Sequence, residues 1–183
     1  MSRIPAIDPA TADAKAKPLL DAVQKSLGLT PNLFRVAAQS PAALEALLGF
    51  NGALAKGNFK GKVRESISLA VAEANSCDYC LSAHTAIGKG AGLSESDIAA
   101  AREGRATDAK TAAIVRFARS LVDSRGHATD SELAALRAAG LTDGDIIEVV
   151  ANTVVNIFTN YLNHVAGTDI DFPVVKSGIA VAA

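Results

Sequence analysis

The chain has 183 residues and a formal net charge of −1, so it lacks the strongly basic character of a nucleic-acid-binding domain. Apolar residues make up 49% of it, aromatic residues only 4%, and an Ala- and Leu-rich composition of this kind favours closely packed helices. The start lacks the apolar region of a secretory signal, and no run approaches the ~20 apolar residues of a membrane span, so we expect a single cytoplasmic domain over residues 1–183.

Helical spacing of apolar residues predicts an all-α fold, with no competing strand pattern. The predicted helices cover about 12–27, 33–37, 41–56, 61–75, 77–90, 94–103, 108–125, 129–139 and 142–165. Ser76 is the predicted N-cap of the helix that starts at Cys77. The last helix is apolar on nearly every side, which places it at the centre of the fold or at a subunit interface. The tail from Gly167 onward is predicted to be irregular.

A short basic run precedes and enters the predicted helix 61–75. It consists of Lys56, Lys60, Lys62 and Arg64. Two glycines interrupt the run and an acidic residue follows it, so we interpret it as a solvated helix entry and not as a binding patch.

Both cysteines of the chain lie in one motif, Cys77-x-x-Cys80, which His84 follows four residues later. On a helix these three side chains share one face. Thiols in the first turn lie among unpaired N–H groups at the positive end of the helix dipole, and this environment favours the reactive thiolate. His84 is positioned to act as the base for Cys80, and a second cysteine makes oxidation reversible through a disulfide.

A carboxylate that orients His84 would strengthen this arrangement, and the preceding helix offers Glu65 and Glu73. The residues alone leave this choice open. They also leave open a metal site, but two cysteines and His84 fall short of four ligands unless Glu65, Glu73 or His164 completes the set, so no metal is predicted. An inert cysteine pair beside a surface histidine is the remaining alternative.

A polar stripe runs along the last helix, where Asn152, Asn156, Asn160 and His164 follow one another in steps of four. Buried amides need hydrogen-bond partners. Contacts with other helices or with a second subunit would supply them. Alternatively, Asn160 or His164 borders the pocket of the cysteine pair.

The pattern Glu65-(x)11-Cys77-x-x-Cys80-(x)3-His84 resembles the core of the alkylhydroperoxidase AhpD / carboxymuconolactone decarboxylase superfamily. Residues 73–85, and the segments 31–35, 160–165 and 171–173, resemble its peroxidase-related branch, and the core motif region covers about 60–95. The resemblance implies an all-α fold and assembly as a homotrimer or homohexamer. It also implies that Cys80 is peroxidatic, Cys77 resolving, His84 the base and Glu65 the relay carboxylate.

One position departs from AhpD, which has a second histidine immediately before its second cysteine, where this chain has Tyr79. A neutral phenol does not relay protons near pH 7 as imidazole does. We therefore expect a simpler relay, a weaker activity or a different substrate, and we regard Tyr79 as a possible pocket residue. The decarboxylase branch lacks the cysteine pair, so decarboxylation is not expected.

The predicted function is reduction of a peroxide by Cys80 and Cys77, with a small thiol or a protein dithiol as reductant and without a bound cofactor. No nucleic-acid or membrane partner is expected, and the protein is expected to be a homo-oligomer. Two other hypotheses remain open. One is a thiol–disulfide oxidoreductase or electron-donor adaptor that does not itself meet the peroxide. The other is a non-enzymatic helical protein whose cysteine pair senses redox state or binds zinc.

Overall fold

The computed structural model describes residues 2–178, and over this range the chain forms nine α-helices and no strand. In chain order they are α1 (Ala16–Leu27), α2 (Asn32–Ala37), α3 (Pro41–Leu54), α4 (Gly61–Ala74), α5 (Asp78–Gly90), α6 (Glu95–Arg102), α7 (Ala109–Asp123), α8 (Asp130–Ala138) and α9 (Asp143–Ala166). The predicted all-α fold class is confirmed, and each predicted helix is present with ends shifted by a few residues.

The largest shift is at the start of α1, which begins at Ala16 and not near residue 12. The Asp13 carboxylate accepts hydrogen bonds from the backbone N–H groups of Lys15 and Ala16, at 2.8 and 2.7 Å, and so ends the preceding turn. Pro18 consequently lies in the first turn of α1, where its missing N–H has no partner to lose.

Helix α4 is the centre of the fold and packs against α5, α6, α7 and α9. Its residues from Ser66 to Glu73 are all buried. One side of α4 contributes Ile67 and Val71 to a core with α7 and α9, and the other contributes Leu69 and Ala72 to a core with α5 and α6. Because both cysteines belong to the second core, α4 fixes the position of the Cys77–Cys80 segment.

Helix α9 packs on α4, α7 and four other helices, yet it leaves large apolar side chains in contact with solvent. These side chains are Ile147, Val154, Phe158, Tyr161 and Val165, which we call the exposed α9 face. Their spacing of seven, four, three and four residues keeps them on one stripe of the helix. The helix is therefore central on one side, as predicted, and has an uncovered apolar stripe on the other.

The tail, residues 167–178, is irregular, as predicted, and lies against α5. The backbone N–H of Val175 donates to the Ser82 hydroxyl at 2.9 Å, and that of Ser177 donates to the Asp78 carboxylate at 2.9 Å. Lys176 forms an ion pair with the same carboxylate. These contacts hold the tail over the N-terminal half of the helix that carries Cys80.

No helix within residues 2–178 combines the length and the apolar content that crossing a bilayer requires.

Candidate active site

The cysteine pair lies at a sharp break between α4 and α5. Ser76 has a left-handed backbone, with φ of 54°, so the chain reverses there and Cys77 becomes the N-cap of α5. The prediction of Ser76 as N-cap is thus wrong by one residue. The Cys77 sulfur takes the role that a capping hydroxyl usually has, because it accepts a hydrogen bond from the backbone N–H of Cys80 at 3.4 Å.

The Cys80 side chain is only 2% exposed and is surrounded by hydrogen-bond donors. The Asn163 side-chain nitrogen donates to its sulfur at 3.3 Å. Burial by itself raises the pKa of the Cys80 thiol, but hydrogen bonds to the sulfur outweigh burial and leave the pKa below its ordinary value. Of the side chains that lower this pKa, Cys77 and Asn163 have the largest effects, and the nearby polar side chains of Asn160 and Thr159 lower it further.

Cys77 behaves in the opposite way. Its hydrogen bond to Cys80 and, next, its burial raise the pKa of the Cys77 thiol. The two shifts have opposite directions, so Cys80 is the first of the two thiols to ionise and Cys77 is the protonated partner that donates to it.

His84 and Glu65 form a pair across the α4–α5 contact. His84 Nδ1 lies 2.8 Å from Glu65 Oε2, and both side chains are half-buried. Within the described part of the chain, this is the hydrogen bond that the His84 ring makes. A proton passing between Cys80 and the imidazole therefore has to travel through water or through the substrate.

A cavity of about 500 Å³ opens beside Cys80. Cys80, His84 and Glu65 all line it, whereas Cys77 is not among the described residues that do. Most of the wall is apolar and includes Val23, Leu27, Leu33, Phe34, Leu47, Leu48, Ile87, Val155 and Phe172. A molecule that enters this cavity meets the activated sulfur, while the second sulfur stays behind it.

Tyr79 lines the cavity, but its hydroxyl is hydrogen-bonded to the tail. The hydroxyl donates to the Asp171 carboxylate at 2.8 Å and accepts from the backbone N–H of Leu33 at 3.0 Å. Burial raises the pKa of Tyr79, and the Asp171 carboxylate raises it further. The phenol stays neutral and holds α2, α5 and the tail together, as a structural link and not as a proton carrier.

Glu73 was the alternative to Glu65, and the structure does not bring it to the cavity. Its carboxylate forms a buried ion pair with Arg102 of α6 at 2.8 Å and accepts from the backbone N–H of Gly178 at 2.8 Å. The reason is helix geometry, because residues eight apart differ by about 80° around the axis. Glu65 faces α5 at the cavity, and Glu73 faces α6 and the tail.

The polar stripe of α9 reaches the site through Asn160 and not through His164. Asn160 is fully buried, and Asn75 donates to its oxygen at 2.9 Å, while its amide nitrogen makes no hydrogen bond within the described residues. The Asn160 side chain nevertheless contributes to lowering the pKa of Cys80. His164 is exposed to solvent. Steps of four drift around a helix, so His164 lies about 120° from Asn152, whereas Asn163, eleven residues on, returns to within about 20°. Asn163 was not predicted from the sequence, although its separation of eleven residues from Asn152 was the signal that places it on the same face.

The fold has close relatives among solved structures. A peroxidase-related protein from Ralstonia eutropha JMP134, described as an alkylhydroperoxidase AhpD core, superposes with a TM-score of 0.83 at 24% identity over 93% of this chain and 92% of its own. A peroxidase-related protein from Silicibacter sp. TM1040 gives 0.73 at 22% identity, over 91% and 88%. A variant of the debrominase Bmp8 in complex with 2,3,4-tribromopyrrole gives 0.78 at 19% identity, over 92% and 91%. At these identities the likeness shows the fold.

Residues 41–124, from the start of α3 to the end of α7, match the sequence model of the carboxymuconolactone decarboxylase family. The matched segment is a little under half of the chain, and over this segment the sequence is similar to that family. Comparison with curated proteins gave no significant match. The matched segment contains both cysteines, Glu65 and His84, so these four residues lie within the part of the chain that is similar to the family.

No group of three or more His, Cys, Asp or Glu side chains in the described part of the chain is arranged to hold a metal ion. Both cysteines are free thiols.

A second residue that the sequence analysis missed is Arg64, the last member of the basic run. Lys56, Lys60 and Lys62 are exposed, as predicted. Arg64 is half-buried and lines the cavity, and its Nε donates to the Asn152 oxygen at 3.3 Å. The interpretation of the run as solvated is therefore wrong for Arg64. Its position on α4, next to Glu65, was the signal available in the sequence.

Asn163 and His164 offer a matched test of the amide donors. Because a hydrogen bond to a charged group contributes about 1.5–3 kcal/mol, Asn163→Leu is expected to slow alkylation of Cys80 by iodoacetamide at neutral pH about tenfold or more. His164→Ala is expected to leave the alkylation rate unchanged. Mass spectrometry of the modified peptide against time measures both rates. A slow rate in His164→Ala, or an unchanged rate in Asn163→Leu, would contradict the assignment.

Proposed function

We propose that this AhpD-like protein is a thiol-dependent peroxidase that reduces peroxides through Cys80 and Cys77. The observation that carries the proposal is the asymmetry of the pair. Cys80 has a lowered pKa and lines the cavity, whereas Cys77 is protonated, hydrogen-bonded to Cys80 and outside the cavity wall. This arrangement supports attack by Cys80 and resolution by Cys77.

In the first step, the Cys80 thiolate attacks the outer oxygen of the hydroperoxide. The S–O bond forms, the O–O bond breaks, and the leaving alkoxide takes a proton to become an alcohol, which leaves a sulfenic acid on Cys80. Cys77 then attacks the sulfenic sulfur and releases water. The products are one alcohol, one water and a Cys77–Cys80 disulfide, which two electrons and two protons from a thiol donor reduce again.

His84 is proposed to supply and receive the protons of these steps, with Glu65 as its partner. The imidazole lines the same cavity as Cys80, and the 2.8 Å contact with Glu65 orients the ring and balances positive charge on it. Tyr79 takes no part in this relay, because its hydroxyl is bonded to Asp171. The relay proposed for this chain therefore contains one histidine.

The proposed reductant is a small thiol or a protein dithiol, and no bound cofactor is needed for the cycle. We also propose that the protein works in the cytoplasm, where thiol pools keep cysteines such as Cys77 and Cys80 reduced.

The direct test is consumption of cumene hydroperoxide by the purified protein with dithiothreitol as donor. Thiol titration and mass spectrometry follow formation of the Cys77–Cys80 disulfide. Two results support the proposal. With the donor present, hydroperoxide is consumed steadily, and without the donor one disulfide forms for each hydroperoxide consumed. Exchange of disulfides with a protein dithiol, without consumption of hydroperoxide, would instead indicate a thiol–disulfide oxidoreductase or adaptor. Neither activity would favour a non-enzymatic redox sensor.

A second candidate function is reductive debromination of an aromatic compound. The cavity favours it, because about 500 Å³ of mostly apolar space far exceeds what hydrogen peroxide needs, and the structurally similar Bmp8 is a debrominase. The same cysteine pair would transfer two electrons, so that one aryl bromide and one proton yield the arene and bromide while the disulfide forms. Bromide release from tribromopyrrole by the reduced protein tests it.

We further propose that the protein is a homo-oligomer and that the exposed α9 face is buried in it. Ile147 is 68% exposed and Val165 62%, which is unusual for large apolar side chains on one stripe. Phe158→Glu is expected to produce a smaller species in analytical ultracentrifugation, with unchanged helical circular dichroism. Phe50→Glu, on exposed α3, is the control and is expected to keep the oligomer. A wild-type monomer would contradict the proposal.

A further inference from the structure

Arg64 is the charged residue of the cavity that the proposed reaction does not use. Arg64 lines the cavity, and its guanidinium has five N–H donors, of which one is bonded within residues 2–178, to Asn152. Among residues 2–178 no carboxylate forms an ion pair with it. Arg102, which is buried to a similar degree, pairs with Glu73 instead. Arg64 thus holds a half-buried positive charge without a counter-ion beside a largely apolar wall.

A buried cation is costly to keep unless an anion or several acceptors surround it. Of the described residues that line the cavity, Arg64 alone is permanently positive. Glu65, its neighbour along α4, is occupied by the 2.8 Å contact with His84. The remaining N–H groups of the Arg64 guanidinium are therefore available to a ligand.

The residues of α9 that contact Arg64 and Cys80 indicate how far the guanidinium lies from the reactive sulfur. Arg64 contacts Asn152, whereas Cys80 contacts Asn160 and Asn163. Eight residues from 152 to 160 correspond to about 12 Å along the helix. Apolar side chains such as Val155, Leu47 and Phe34 line the cavity together with both groups.

We propose that the cavity binds elongated apolar molecules that carry a carboxylate, and that Arg64 binds this carboxylate. The inference rests on the proposed function for the identity of the reacting group, which is a hydroperoxide at a distance from the carboxylate. A carboxylate suits the site because its two oxygens match the parallel N–H groups of a guanidinium. The preferred substrate class is thus the hydroperoxide of an aliphatic carboxylic acid. Hydrogen peroxide and neutral hydroperoxides are poorer substrates.

Binding without turnover tests the carboxylate site separately from the chemistry. Decanoate and decanol, which share one chain, are titrated into the full-length protein by calorimetry near pH 7.5. A charge-assisted contact predicts that decanoate binds about tenfold or more tightly than decanol. Arg64→Met is expected to remove this preference, and Arg64→Lys to keep part of it, which shows that the cavity is intact. Arg116→Met, on the exposed side of α7, removes the same charge outside the cavity and is expected to keep the preference.

Turnover then links the site to the reaction. For the wild type, the ratio of kcat/KM for a fatty-acid hydroperoxide to that for its methyl ester is expected to be about ten or more, and to fall toward one in Arg64→Met. Equal binding of decanoate and decanol, or a preference that survives in Arg64→Met, overturns the carboxylate site even if cumene hydroperoxide is consumed. Arg64-dependent decanoate binding without consumption of any hydroperoxide overturns the peroxidase proposal and leaves the carboxylate site standing.

Discussion

Cys80→Ser is expected to abolish peroxide reduction, with a loss of more than about a thousandfold in kcat/KM. A serine hydroxyl in the same place stays protonated, and the Asn163 amide then lies beside a neutral oxygen that does not attack the O–O bond. Consumption of cumene hydroperoxide with dithiothreitol measures the loss.

Cys77→Ser is the matched variant, because it removes the other sulfur of the same pair. It is expected to consume about one equivalent of hydroperoxide rapidly in the absence of donor, and to leave a sulfenic acid on Cys80 that dimedone labels. Full activity in Cys80→Ser, or a dimedone adduct on Cys77 instead of Cys80, would reverse the assigned roles.

Local signals in the sequence were enough to place the helices. The predicted helix 41–56 begins at Pro41 in the structure, where the Ser40 hydroxyl caps it by accepting from the backbone N–H of Ala43. Such capping depends on a few consecutive residues, so it is readable from the sequence. At the cysteine pair the same reasoning failed by one residue, because the left-handed turn at Ser76 belongs to the α4–α5 crossing and not to a helix cap.

Contacts between distant elements were harder to predict. The pairing of Glu65 with His84 followed from the resemblance to a family, since spacing alone left Glu73 as an equal alternative. Nothing near Glu73 shows that its partners are Arg102, on α6, and Gly178, in the tail. The partner of a glutamate on α4 depends on which neighbouring helix packs against that side of α4. This in turn depends on the arrangement of all the helices.

Asn163 and Arg64 were not predicted as site residues, and the reason differs between them. Asn163 was readable from helix geometry, since a period of eleven residues and not of four keeps one face of α9 buried. Arg64 was grouped with three lysines by charge, whereas its burial depends on α4 packing against α9. A run of charged residues in the sequence does not show that each of them is exposed, because the packing of the helices determines which of them reach the surface.

Substitutions of Glu65 and Glu73, both on α4, are expected to separate an effect on catalysis from an effect on stability. Glu65→Gln keeps the size of the side chain but removes the charge beside His84, so the ring loses the partner that orients it and balances its protonated form. We expect kcat to fall about a hundredfold. Thermal unfolding should change little, because the pair is partly open to the cavity.

Glu73→Gln is the control, and the opposite result is expected. It breaks a buried ion pair with Arg102 outside the cavity, which lowers the free energy of unfolding by about 2 kcal/mol while activity per folded molecule stays at the wild-type level. Urea unfolding and peroxide consumption are measured on both variants below the unfolding transition. Activity loss in Glu73→Gln that matches Glu65→Gln would assign both carboxylates to structure and leave His84 without a relay partner.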